Sequence, residues 1–220
     1  MSARAFGLRA GAWALTLLIT WVFVVSAAPA AAGRPGTGAR ARLERALRTT
    51  RDVRATIRQE RTSPGLGSAP PASGLFEYRK PRQARLEYRS KPPSVLYLNG
   101  DTVWVYDPIQ KSVLKLAAGP AGAQPLVLFE DSMAALEAAY RIEETGALSV
   151  KLEPRDRGRS PWRRVLLRLD RASGYPRRFE IEEEDGGRIV LELTRLRLNA
   201  GVPAARLRPA FPPGTQVVGL

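Results

Sequence analysis

The chain has 220 residues, no cysteine, no histidine and a formal net charge of +14. The missing Cys removes disulfides and thiol chemistry, and the missing His removes the commonest general base and metal ligand. The charge is almost all arginine, 30 Arg against 5 Lys, and it is spread over every segment. No helix carries a basic stripe interleaved with base-stacking aromatics, so nucleic acid is not an expected partner. A basic surface set by codon composition accounts for the charge without function. Attraction to anionic head groups or acidic partner surfaces is the functional reading.

Arg4 and Arg9 form a basic n-region ahead of the apolar run Trp13–Val25, and no charge occurs between Arg9 and Arg34. Small residues and Pro29 follow, and Ala30-Ala31-Ala32 ends an A-x-A-like site. Residues 1–32 therefore read as a signal peptide cleaved after Ala32, with Ala30 as the alternative position. The mature chain, residues 33–220, suits one domain with a sizeable core. The rival reading is a retained helix that tethers a structural protein, because the uncharged stretch is 24 residues long. Its last third, however, is Ala and Pro rather than Leu or Val. A lipid anchor needs a Cys directly after the signal, and the chain has none.

Ala39–Thr50 has helical spacing, with Leu43, Ala46 and Leu47 on one face and Arg40, Glu44, Arg45 and Arg48 opposite. At Val53 the period changes to two, and Val53, Ala55 and Ile57 alternate with Arg54, Thr56 and Arg58 as in a half-buried strand. Ser63–Ser73 is Pro- and Gly-rich and reads as a loop. Leu75–Arg79, Ala84–Tyr88, Val95–Leu98 and Thr102–Tyr106 then have strand length and composition. Asn99-Gly100 is a hairpin signal with both residues at the centre of a type I′ turn. Ser112–Leu116 adds a strand, and Gly119–Gly122 breaks the pattern.

Pro125–Phe129 fits a short buried helix or a strand. Asp131 or Ser132 fits the N-cap of Met133–Ala139, whose Met133, Leu136 and Tyr140 share spacing. Strands return from Tyr140. Leu148, Val150 and Leu152 alternate, as do Val165, Leu167 and Leu169, then Phe179 and Ile181, then Ile189, Leu191 and Leu193. Roughly ten or eleven strands without βαβ alternation predict a mainly β (α+β) fold. The expected form is a single curved antiparallel sheet, an incomplete barrel closed by a short α-helical lid.

Such a sheet has a concave apolar face that needs a cover. The candidate cavity residues are Leu47, Ile57, Leu86, Leu96, Leu126, Phe129, Met133 and Leu136. A chain of about 14 carbons buried there is worth roughly 10 kcal/mol at ~0.8 kcal/mol per methylene. The plainer alternative is a lid that packs permanently over an ordinary core. Both faces of the Val95–Tyr106 hairpin are apolar, so the sequence leaves open which one turns inward. Trp104 and Tyr106 read as packing residues. Glu182–Asp185 reads as a solvated hairpin end, and no residue set reads as catalytic, metal-binding or cofactor-binding.

Three motifs carry a resemblance. They are a basic residue before Pro (Arg79-Lys80-Pro81), a following Arg-x-x-Tyr strand (Arg85, Tyr88), and the NGD-x-V-W-x-Y-D-P hairpin from Asn99 to Pro108. With Pro125–Tyr140 and the closing Phe211–Val217, the chain resembles the LolA-type outer-membrane lipoprotein carriers of Gram-negative bacteria from Leu43 to Val218. The resemblance implies a periplasmic, monomeric, non-enzymatic carrier. It would accept acylated lipoproteins from an inner-membrane ABC exporter and pass them to an outer-membrane receptor. It also implies a latch: the family's conserved Arg before Pro, which bonds to lid backbone, is matched here by Lys80, expected to reach carbonyls of Pro125–Phe129. The family's Trp on the next strand is matched by Leu86, which widens the cavity. A LolA-like carrier or sensor of another amphiphile, a glycolipid or phospholipid, would share the fold.

Overall fold

Asp52 to Ser63 forms the longest strand, β1, and the sheet is built outward from it on both sides. The computed structural model describes residues 38–118 and 131–219. The predicted signal peptide, Leu126 and Phe129 lie outside them. Helix α1 (Ala39–Thr49) precedes β1. After β1 come β2 (Gly67–Ser68), β3 (Ala72–Arg79), β4 (Gln83–Tyr88), β5 (Ser94–Asn99), β6 (Thr102–Asp107) and β7 (Ser112–Ala117). Helix α2 (Met133–Ala139) leads into β8 (Tyr140–Gly146), β9 (Ser149–Pro154), β10 (Trp162–Leu169), β11 (Pro176–Glu183), β12 (Arg188–Leu198) and β13 (Gln216–Gly219).

The sheet order is β13-β7-β6-β5-β4-β3-β1-β12-β11-β10-β9-β8, with β2 paired beside β1. β13 and β8 end the row without pairing to each other, so the curved sheet stays open. Among the described residues it has 13 strands, more than the ten or eleven expected. Two of the short strands, β2 and β13, lack the length that makes alternation readable. One pairing also departs from the antiparallel expectation: β13 runs parallel to β7, Val217 beside Val113.

Two smaller differences concern turns. The β5–β6 pairing sets Asn99 opposite Thr102, so the central pair is Gly100-Asp101, one step later than predicted. Gly100 takes φ +59°, and Gly at the first central position is the type II′ requirement. The β11–β12 turn does not leave all of Glu182–Asp185 in solvent. Glu183 is buried at 7% exposure, facing Arg61 at 3.0 Å, and burial pushes its carboxyl above the usual range.

Alternation places one apolar set of each strand against the helices. Ile57, Phe76, Leu86, Leu98, Leu167 and Ile181 join Leu43 and Leu47 of α1 and Met133 and Leu136 of α2 in one buried cluster. Leu96, Leu98 and Val103 belong to it, so that face of the hairpin is the inner one. Tyr97 and Tyr106 lie on the outer face, where Phe211 packs with ring centroids 5.9 and 5.6 Å away. The segment after β12 therefore crosses the outer face and buries Val202 and Leu207.

Elsewhere the outer face is charged. An open groove of about 770 Å³ over β9–β11 is lined by side chains such as Lys151, Arg164, Arg168, Glu180 and Glu182. Arg188, Arg178 and Arg168 lie 2.6, 3.0 and 3.2 Å from Glu180. Burial alone would raise the Glu180 carboxyl, but these hydrogen bonds outweigh it and hold the group below its usual range. A groove of paired charges does not suit an alkyl chain.

Candidate functional site

α1 is rich in Ala, Leu, Arg and Glu, which favour a helix. It buries Ala39, Leu43, Ala46 and Leu47, a stripe at i, i+4, i+7 and i+8. Its N-cap, Gly38, supplies no side-chain bond. Glu144 of β8 takes that role, accepting from the Arg40 backbone N–H at 2.8 Å where a negative charge suits the helix dipole. α2 is shorter, seven residues. Of the two N-cap candidates Ser132 serves, its Oγ accepting from the Ala135 N–H at 3.2 Å.

The structure brings six of the sequence-predicted cavity residues into one cluster. Leu47, Ile57, Leu86, Leu96, Met133 and Leu136 are all buried, none above 9% exposure. They come from both helices and from three strands, β1, β4 and β5. Among the described residues they pack together as core.

The helices are held at their ends by polar groups. Lys80 follows β3, and its ammonium donates to the Leu47 carbonyl in the last turn of α1. That turn carries carbonyls without helical partners, and a cation there also suits the dipole. The described partner of Lys80 thus lies on α1, while the expected Pro125–Phe129 carbonyls are outside the described residues. Burial lowers the affinity of Lys80 for its proton, and the nearby Asp131 carboxylate opposes that. Arg79 goes the other way, donating to the Val202 carbonyl at 3.0 Å.

Sequence reasoning missed Asn199, which completes this corner. Its Nδ2 donates to the Thr49 carbonyl at 3.2 Å, and its Oδ1 accepts from the Arg51 N–H at 2.7 Å. It takes φ +55°, a conformation Asn tolerates better than most residues. A lone Asn about 150 positions from its partners leaves no local signal. Arg40 also pairs with Glu137, linking the two helices, and Arg155 Nε donates to the Glu137 carbonyl at 2.7 Å.

These features define a half-barrel protein, an open sheet whose apolar side is closed by two short helices rather than by a second sheet. The family model described as outer membrane lipoprotein carrier protein LolA matches residues 48–208. A relative from Leptothrix cholodnii, named outer-membrane lipoprotein carrier protein, is 30% identical over 172 residues, 75% of this chain and 78% of that one. One of the same name from Alkalilimnicola ehrlichii is 28% identical over 148 residues, 67% and 68% of the two chains. A crystal structure of an uncharacterized conserved protein from Thermus thermophilus shares the fold. Its TM-score is 0.50 at 16% identity, covering 81% of this chain and 95% of that one. The chain belongs to the LolA family.

Proposed function

We propose that this protein is a periplasmic carrier that takes the acyl chains of lipoproteins beneath α1 and α2 and shuttles them from the inner to the outer membrane. One observation carries the reading: the apolar inner face is closed by helices of only 11 and seven residues, tied down at their ends by polar bonds. A typical hydrogen bond is worth about 0.5–1.5 kcal/mol net, because water replaces it when it opens. The helices can therefore lift while the strand ladder stays whole. The side chains they uncover, Leu47, Ile57, Leu86, Leu96, Met133 and Leu136, together with Leu126 and Phe129, would wrap the alkyl chains, and Lys80 would act as the latch.

In this reading the donor is an inner-membrane ABC exporter and the acceptor an outer-membrane receptor. Export through a cleaved signal peptide, residues 1–32, brings the mature monomer between them. The work is binding and release, with no bond made or broken, so no catalytic group or cofactor enters. The test uses the mature protein and ATP-energised inner-membrane vesicles that hold a radiolabelled triacylated lipoprotein. The expected result is label released into the soluble fraction in a one-to-one complex. Label that stays in the vesicles would overturn the shuttle. Extraction of phospholipid or glycolipid instead would move the cargo to another amphiphile.

A further inference from the structure

We propose that Asp131 is a positioning residue of the lid: its carboxylate fastens the start of α2 to the turn between β3 and β4, beside the point where Lys80 fastens the end of α1. The inference deepens the carrier reading and rests on it for the meaning of lid opening.

Asp131 stands immediately before Ser132, the N-cap of α2. Its Oδ1 accepts from the Tyr78 hydroxyl and, at 3.4 Å, from the Arg82 backbone N–H. Tyr78 is buried at 1% exposure on the inner face of β3, so its hydroxyl is a fixed anchor under the lid. Arg82 takes φ +39°, a region bulky side chains seldom occupy, and from there its N–H meets the carboxylate. The same carboxylate lies close enough to Lys80 and to the buried Tyr175 to oppose loss of the lysine proton and of the phenol proton.

One turn of the sheet thus meets both helices, Lys80 donating to the end of α1 and the Arg82 N–H donating to Asp131 at the start of α2. The ammonium takes a carbonyl at the end of α1, and the carboxylate receives donors at the entry to α2. Hydrogen bonds to charged groups are stronger than neutral ones. Opening at either helix costs one such set and leaves the other charge beside the turn. The two helices should therefore loosen in a coupled way, and substitutions at Lys80 and Asp131 should not add.

Hydrogen exchange read by mass spectrometry on the full mature chain, without lipid, tests this. Asp131→Ala should speed exchange of the Met133–Ala139 amides by about tenfold, with the β1–β12 ladder unchanged. Tyr78→Phe removes one donor to Asp131 and should act in the same direction, by about threefold, which keeps the test open if the alanine variant folds poorly. Asp131→Glu keeps the charge and should restore most of the protection, which a merely structural side chain would not do. Unchanged α2 exchange in Asp131→Ala, or equal acceleration across the sheet, would overturn the proposal. Fast α2 exchange without lipoprotein capture by the wild type would sink the carrier reading and leave the clasp standing. Capture with unchanged exchange would sink the clasp alone.

Discussion

Lys80→Leu loosens the cover of the inner face and leaves the sheet intact. The ammonium of Lys80 meets the Leu47 carbonyl at the end of α1. A hydrogen bond to a charged group is worth about 1.5–3 kcal/mol, and 1.4 kcal/mol is a factor of ten in an equilibrium. The open population should rise by roughly tenfold or more. A hydrophobic dye should then bind the ligand-free variant more strongly, and bound lipoprotein should leave it faster. Arg79→Leu should do much less, because Arg79 reaches the Val202 carbonyl on the opposite side of the sheet. Lys80→Arg should retain closure, since a guanidinium offers more donors in a fixed fork. Equal effects at 79 and 80 would remove Lys80 from the latch.

Arg206→Ala lowers stability by about 2 kcal/mol and frees the segment that crosses the outer face. Arg206 Nε lies 3.1 and 3.0 Å from the two oxygens of Glu77. Glu77 has 1% of its side chain exposed, against 45% for Arg206, and its remaining cation is Arg54 at 3.3 Å. Breaking a fully buried pair costs about 3–5 kcal/mol because it strands a charge, and partial exposure of the arginine reduces that figure. For a domain of this size the loss corresponds to a fall in Tm of about 4–8 °C. Limited proteolysis should cut beyond Asn199 sooner, since Val202, Leu207 and Phe211 lose the ion pair that holds their segment down. An unchanged melting curve would show that the Arg79–Val202 bond, the burial of Val202 and Leu207 and the packing of Phe211 hold the segment without the ion pair.

The inner face was legible because it rests on local alternation. Ile57 and Leu86 follow the period of two, and both are buried against the helices. The opposite directions of Arg79 and Lys80 follow from the same parity. The inward face of the hairpin was not legible, because Leu96 and Tyr97 are both apolar and the choice depends on Phe211, more than a hundred residues away. β13 was missed as a parallel partner of β7 since its four residues are all exposed and carry no burial pattern. The helix anchors at Glu144 and Asn199 and the Arg206–Glu77 pair are likewise long-range meetings of polar residues, which no window along the chain registers.

Site-specific photocrosslinking to a lipoprotein whose acyl chains carry diazirine groups tests the central claim most directly. With the mature protein as bait, single reporter positions would be read by mass spectrometry. The account predicts that acyl crosslinks cluster on the inner side, at Leu47, Leu86, Leu96 and Leu136, and are absent at Trp104 and Tyr106. It also predicts that tethering α1 to α2 by an engineered disulfide abolishes them. Acyl crosslinks confined to the outer face, or crosslinks beneath the helices that persist when loading is attempted after the tether has formed, would contradict it.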